Sequence, residues 1–420
     1  MVFVTFRLQV IPMKQFEIPA IYRSTIISKV KAFRKAQDPR KKDFTPTLLD
    51  FGNVRLAIAR HFGFCYGVEN AIEIAYRAIA ENEGKHIYLL SQMIHNPGVN
   101  DDLTNHGITF IQDTAGDQLI GWDEITADDV VIIPAFGTTL EIESLLREKG
   151  VNVERYNTTC PFVEKVWNRS EKLAQDQHTL VIHGKYNHEE TRATFSHTAA
   201  HTQAVIVKDL KEAKLLGECI TGQRSKAEFY ELFSGKHTPD FDPAIHFEKL
   251  GVINQTTMLA SETQEIAEYL KQVTETFAAE NNVQKSFADT RDTLCYATND
   301  NQSATIGLIE SKPDLAIVVG GYNSSNTTHL VELLEQECPT YFIKDVSEIQ
   351  ADGTIFSFNI HTKQLVGFPD FLKSTTHPLT IAVTSGASCP DATVDQVIQR
   401  VLEITEAERS IEAVFEIMES

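Results

Sequence analysis

Three cysteines carry the chemistry that this sequence offers most plainly. Cys65 sits between Gly63 and Gly67, after a strand-like run at 54–59 and before a helix-like run at 70–80. Glycines let the backbone fold tightly around a sulfur, and a helix N-terminus beside a thiol stabilises the thiolate. Cys160 and Cys295 recur in the same setting, with helix-like runs at 162–174 and 302–311. Three thiolates leave one corner of a cubane iron–sulfur cluster open, and an open corner makes a Lewis acid as well as an electron carrier. Zinc held by three thiolates with a histidine or water is the competing metal. Small buried residues at strand ends are the plain alternative, the common fate of free cysteine.

The elements that must position these thiols repeat. After each helix comes an apolar strand, at 86–90, 179–182 and 315–319, and each strand runs into a polar loop. The loops hold Ile94-His95-Asn96, Asn187-His188-Glu189-Glu190 and Asn323-Ser324-Ser325-Asn326. Each follows its cysteine by roughly 30 residues, the length of a strand–helix–strand unit. The spacing predicts that the cysteine ends one strand and the polar loop ends its parallel neighbour. A further strand follows in each unit, at 130–137, 251–257 and 380–388.

Three copies of one layout predict an α/β fold of three similar domains in a pseudo-threefold, trefoil arrangement. The expected divisions are an N-terminal extension at 1–53 and domains at 54–158, 159–293 and 294–420. An insertion at 208–248, polar and rich in turns, reads as a surface elaboration of the second domain. The acidic, helix-like stretch from Asp391 onward is expected to pack on the third. Ligands of open α/β sheets bind beyond the carboxyl ends of the strands. If those ends face inward, the cysteines and polar loops converge.

Bulk composition narrows the partners. A chain of 420 residues with 42% hydrophobic and 23% charged residues is that of an ordinary globular protein of two or three domains. No apolar run is long enough to cross a membrane, so no membrane insertion is expected. A net charge of −20 argues against nucleic acid and leaves any anionic substrate to local groups. Six cysteines in so long a chain do not read as a secreted disulfide scaffold, which favours a reducing compartment. Residues 1–42 are rich in Lys and Arg, with only Glu17 and Asp38 as acids, a bias that also suits an organelle transit peptide. Met13 is an alternative start.

The polar loops ask for an anionic ligand. His95, His188, Ser324, Ser325, Asn326 and Ser388 all bear donors, several just ahead of helices whose N-termini favour phosphate. His183, His197 and His201 lack a counterpart in the repeat and read as structural. Glu190, two residues after His188, is the candidate proton donor, with Glu189 the alternative; burial near a phosphate would raise its pKa into the range of a general acid. Thr256 and Thr257 stand where they can relay a proton or bind a hydroxyl.

Taken in order, Phe64-Cys65-Tyr66-Gly67-Val68, Ile94-His95-Asn96, Thr159-Cys160-Pro161, His188-Glu189-Glu190, Gln255-Thr256-Thr257, Cys295-Tyr296-Ala297-Thr298, Asn323-Ser324-Ser325-Asn326 and Gly386-Ala387-Ser388-Cys389-Pro390-Asp391 resemble the 4-hydroxy-3-methylbut-2-enyl diphosphate reductases. The resemblance covers about residues 54–400. It implies the last step of the methylerythritol phosphate route, reduction of the allylic diphosphate to isopentenyl and dimethylallyl diphosphate. It further implies one 4Fe–4S cluster at the centre of the trefoil, on Cys65, Cys160 and Cys295. Catalysis falls to Glu190 with Thr256 in the same network. Substrate binding falls to His95, His188, Thr256, Ser324, Ser325, Asn326 and Ser388, and the electron donor is a ferredoxin- or flavodoxin-type protein. One position departs from the better-known bacterial pattern: Phe136 stands where many members carry a histidine that contacts diphosphate, so it is assigned no such role. That departure, the extension and the insertion resemble the plant and cyanobacterial subgroup. A cytoplasmic location is expected, or a plastid one if residues 1–42 include a transit peptide. Cys219, Cys338 and Cys389 match no cluster position.

Overall fold

The computed structural model describes residues 16–288, 293–373 and 378–419. The alternative start at Met13 lies outside them. Three α/β sheets make up the body. The first runs in the order Ile108–Phe110, Ile87–Leu89, Val130–Ile132, all parallel. The second runs Ala204–Val207, Thr179–His183, Lys249–Asn254, Ser286–Phe287, again all parallel. The third runs Thr47–Asp50, Val54–Ile58, Leu379–Ser385, Leu315–Val319, Thr340–Ile343, parallel except for its outermost pair. The central strands are apolar on both faces, as parallel strands covered by helices must be.

One expectation is corrected here, and the correction explains the assembly. The strand before Cys65 does not pair with the strand that ends at His95. Val54–Ile58 lies in the third sheet, with Ile58 opposite Val383, while the helix after Cys65 (Tyr66–Glu81) packs Val68, Ala71, Ile72 and Ala75 on the first sheet. The other two corners repeat the exchange. Asn157, just before Cys160, bridges Ile133 at the edge of the first sheet, while the helix Pro161–Gln175 packs Val166 and Leu173 on the second. Ser286–Phe287, ahead of Cys295, pairs with the second sheet, while the helix Tyr296–Glu310 packs Ala304 and Leu308 on the third. Each cysteine therefore stands where the chain leaves one sheet and enters the next.

The segment before the first sheet is built into the body. Ser24 caps the helix Thr25–Gln37, accepting from the Ile27 N–H, and donates to Asp395 at 2.6 Å. Ile27 and Val30 are buried in the core of the third sheet and Tyr22 in that of the first. Lys31 pairs with Asp391 at 2.7 Å and lies over the Phe62 ring. The segment thus straddles the two sheets that Cys65 joins.

The insertion is more than a surface elaboration. Its helices Leu210–Ile220 and Lys226–Leu232 and the turns after them bury Phe229, Phe233, Phe241 and Phe247 together, against Val181, Val205 and Val207 of the second sheet. The polar turn residues that dominate the sequence there lie between aromatic anchors. At the other end of the chain, the helix Asp391–Ile404 buries Val394, Val397, Ile398 and Val401 in the core of the third sheet.

Candidate active site

The strands of all three sheets end toward one cavity of about 90 Å³. Cys65, Cys160 and Cys295 line it, as do His95, Phe136, His188, Glu190, Thr256, Thr257, Ser324, Ser325, Asn326 and Ser388. The three cysteines are held alike. Each is the N-cap residue of its helix, so the helices begin directly after the sulfurs, several residues before the apolar periodicity starts at Cys65 and Cys295. Each backbone N–H is held by the loop after a strand of the sheet that delivers it: Cys65 by the Ala387 carbonyl at 3.2 Å, Cys160 by Ala135 at 2.9 Å and Cys295 by Thr256 at 3.3 Å. The repeat inferred from sequence thus extends to single hydrogen bonds.

The thiols face one another. Burial, and then the charges of Cys295 and Cys160, push Cys65 up to about 12; burial pushes Cys160 up to about 11 and raises Cys295 as well. Three thiolates cannot share such a buried space unless positive charge lies between them. The approach is close: a Cβ on Gly67 would lie 2.6 Å from the Cys160 sulfur. Cys295 also accepts from the Thr298 N–H at 3.4 Å, and its sulfur is 3.1 Å from the Thr298 hydroxyl. Among the described residues no three His, Cys, Asp or Glu side chains are gathered to hold a single metal ion. Three thiols are the donor chemistry that an iron–sulfur group takes.

Glu190 and Glu189 divide the roles weighed for them. Glu190 is 1% exposed. Its carboxylate accepts from the Thr256 N–H at 2.5 Å and the Thr256 hydroxyl at 3.0 Å. Burial pushes its pKa up to about 7, against the pull of those hydrogen bonds. Glu189 turns the other way. It is bonded to His95 Nε2 at 2.9 Å and accepts from the Ser91 hydroxyl. Adjacent residues at the start of one helix, Glu189–Ala199, thus serve opposite neighbours. Ser91 gave no sequence signal; its only mark is its place in the loop before His95.

The histidines and hydroxyls form the rest of the wall. His188 caps that helix, its Nδ1 accepting from the Glu190 N–H at 3.1 Å, which leaves Nε2 as the donor. Burial, reinforced by His95, Lys185 and Arg192, holds its pKa well below the usual imidazole range. Phe136 packs against both histidines, its ring 4.4 Å from His95 and 5.5 Å from His188, and the two imidazoles meet edge to face at 5.0 Å. It closes the pocket with an apolar face and orients both rings. Ser324 caps the helix Ser325–Leu334, whose free N–H groups point to the cavity side. Asn326 accepts from the Ala387 N–H at 3.0 Å and keeps its own Nδ2 unpartnered. Ser388 donates to the His95 carbonyl at 3.1 Å.

The remaining candidates fall away from the pocket. His183 is fully buried against Thr263, and His197 stacks on Trp167 at 3.7 Å. Cys389 is wholly buried in the core of the third sheet, Cys219 packs in that of the second, and Cys338 sits at the margin of the third.

A family model described as LytB protein matches residues 56–402. The chain belongs to the LytB family. Among its relatives, the 4-hydroxy-3-methylbut-2-enyl diphosphate reductase of Synechococcus sp. (strain WH7803) is 38% identical over 359 residues, covering 85% of this chain and 87% of the relative. That of Cyanothece sp. (strain PCC 7425 / ATCC 29141) is 37% identical over 352 residues, covering 83% and 84%. A solved structure of (E)-4-hydroxy-3-methyl-but-2-enyl diphosphate reductase, described as the terminal enzyme of the non-mevalonate pathway, superposes with a TM-score of 0.50 at 26% identity, over 83% of this chain and 99% of that one. The E-1-hydroxy-2-methyl-but-2-enyl-4-diphosphate reductase of Plasmodium falciparum shares the fold, with a TM-score of 0.58 at 21% identity over 83% and 87%. Among the described residues of this LytB protein no helix is long and apolar enough to cross a membrane.

Proposed function

We propose that this LytB protein reduces 4-hydroxy-3-methylbut-2-enyl diphosphate to isopentenyl and dimethylallyl diphosphate. The observation that carries the reading is one cavity lined by three thiols at helix N-cap positions, a buried acid and a set of anion donors. Overall, the allylic alcohol takes up two electrons and two protons, its C–O bond breaks, and water leaves.

Cys65, Cys160 and Cys295 would hold one 4Fe–4S cluster, which would supply electrons one at a time and Lewis acidity. Glu190, protonated near neutral pH, is the acid for the departing hydroxyl, and Thr256 fixes both of its oxygens. His188 Nε2 and the hydroxyls and amide of Ser324, Ser325, Asn326 and Ser388 hold the diphosphate, with the helix N-terminus at Ser325 behind them. His95 joins them with Glu189 fixing its ring. Phe136 excludes water from the side where it offers no hydrogen bond. The electrons come from a ferredoxin- or flavodoxin-type protein. The proposed domain limits are those drawn from the sequence, except that Thr47–Asp50 and Val54–Ile58 join the third domain, whose sheet holds them. The cyanobacterial relatives support a cytoplasmic location.

Anaerobic purification tests the reading. A brown protein with roughly four irons per chain, which consumes the allylic diphosphate only when a reductant is present, supports it. A colourless zinc protein, or an iron protein without that turnover, overturns it.

A further inference from the structure

Lys185 is a cation that the reaction described above does not use. It follows Gly184 at the end of the central strand of the second sheet, where the strand runs close against its neighbours: a Cβ on Gly184 would meet the Thr191 hydroxyl at 2.7 Å. Its backbone N–H is fixed by Gln255 at 3.3 Å. The side chain reaches across to the third domain, where Nζ donates to the Ser325 hydroxyl at 3.3 Å. Among the described residues no carboxylate lies within ion-pair distance of it. The two acids that bear on it electrostatically, Glu332 and Glu262, are engaged elsewhere, with His329 at 2.6 Å and with His183 at 3.7 Å. Lys363 and Lys208 add like charge, and burial lowers the Lys185 pKa.

A mostly buried ammonium without a carboxylate partner is costly unless an anion is due beside it. The hydrogen bond says where. An ammonium only donates, so the Ser325 oxygen accepts from Lys185 and its own O–H must point elsewhere. Ser325 is buried, lines the cavity and opens the helix Ser325–Leu334.

We propose that Lys185 is a positioning residue for the diphosphate: it turns the Ser325 hydroxyl toward the anion, polarises it, and supplies positive charge from behind. It also ties the second domain to the third across the substrate. The inference rests on the diphosphate reading of the cavity and adds to it a residue that touches only the donor.

The test uses the anaerobically purified holoenzyme with inorganic pyrophosphate as the binding probe, followed by calorimetry, and the allylic diphosphate as substrate. Lys185→Gln keeps a donor for Ser325 but removes the charge. It should weaken pyrophosphate binding and raise KM roughly 10- to 100-fold, the scale of a charge-assisted hydrogen bond, with a smaller effect on kcat. Lys185→Arg should recover most of the affinity. Because Lys185 acts through Ser325, adding Lys185→Gln to Ser325→Ala should cost much less than it does in the wild type. Pyrophosphate affinity within twofold of wild type, a loss confined to kcat, or additive effects in the double variant would each overturn the proposal. If the wild type binds pyrophosphate but does not turn over the allylic diphosphate, the reaction reading fails while the comparison still decides the role of Lys185.

Discussion

Glu190→Gln is the perturbation that tests the chemistry most directly. An ordinary glutamate, with its pKa at 4.5, is protonated to only about 0.3% at pH 7; a carboxyl raised to about 7 is half protonated, a gain of about 150-fold in available acid. The protonated form is the active one, so kcat should fall as pH rises through 7. Glutamine keeps the shape and removes the proton, and the loss in kcat at pH 7 should be roughly 10²- to 10⁴-fold, with KM little changed. Thr256→Val gives a second, opposite-handed check. The Thr256 hydroxyl stabilises the carboxylate, so removing it should raise the Glu190 pKa further and move the alkaline limb to higher pH. The assay is reductant-driven turnover of the allylic diphosphate across pH 5.5–9 on protein of matched iron content. A Glu190→Gln enzyme that keeps its kcat and the limb near 7, or a Thr256→Val limb that moves down, would refute the assignment.

The same shift has a cost in stability, with a definite sign. Because the folded pKa lies above the unfolded one, the native state holds the proton more tightly. That contribution is complete below pH 4.5 and is lost as pH climbs through 7, for a total of about 3 kcal/mol. Glu190→Gln should abolish this part of the pH dependence and make the protein more stable than wild type at pH 8, by up to that amount. Anaerobic urea denaturation at pH 5 and pH 8 reads it; equal stability changes at both pH values would show that the burial cost is not there.

Three further outcomes follow from the site. Gly67→Ala, whose Cβ would fall 2.6 Å from the Cys160 sulfur, should lose iron and visible absorbance during purification; a fully loaded variant would mean that this corner can give way. Glu189→Ala removes the partner of both His95 and Ser91 in a buried setting, and should lower stability by about 3 kcal/mol and raise KM; Glu189→Gln should recover much of both, whereas two variants that behave alike would argue against a role for the hydrogen bonds. Cys219→Ser and Cys338→Ser should leave iron content unchanged, since neither lines the cavity, and loss of iron in either would contradict the three-cysteine set.

The legible part of the sequence was its repeat. A cysteine, an amphipathic run, an apolar strand and a polar loop recur often enough to give the fold class and the residues that meet in the cavity. The partner of each strand was not legible. Val54–Ile58 has the composition of any parallel strand, and nothing in it distinguishes the sheet of its own helix from the sheet behind. Sheet membership is decided by which face the next helix covers, a tertiary fact. Helix starts are hidden for a related reason: Tyr66 and Tyr296 begin helices but lie on faces turned partly to solvent, so the apolar period begins only later. The division between Glu189 and Glu190 was also hidden. Neighbours in sequence at the start of a helix point about 100° apart, and only the surroundings show that one faces His95 and the other Thr256. The aromatic core of the insertion was outweighed by the polar turns between its four phenylalanines.

The exchange of strands ties the three-cysteine cavity to the assembly of the whole molecule. None of Cys65, Cys160 and Cys295 belongs to one sheet: the strand or bridge that delivers it lies in one, and the helix that follows it covers the next. The carbonyl that holds each cysteine N–H belongs to the delivering sheet, while the helix N-terminus that favours its thiolate belongs to the receiving one. A corner therefore acquires its geometry only when two sheets are docked, and all three corners only when the ring of three is closed. The segment through Tyr22, Ile27 and Val30 bridges the junction at Cys65, where Val54–Ile58 pairs with Leu379–Ser385 and the ring must be closed without a continuous repeat behind it. Lys31–Asp391 and Ser24–Asp395 fasten that junction to the last repeat. Charge reversal at Lys31 should thus loosen Cys65 before the other two thiols. Alkylation of the metal-free protein, followed by peptide mapping, would show it as earlier labelling of Cys65; uniform labelling of all three cysteines would count against a ring closed at that corner.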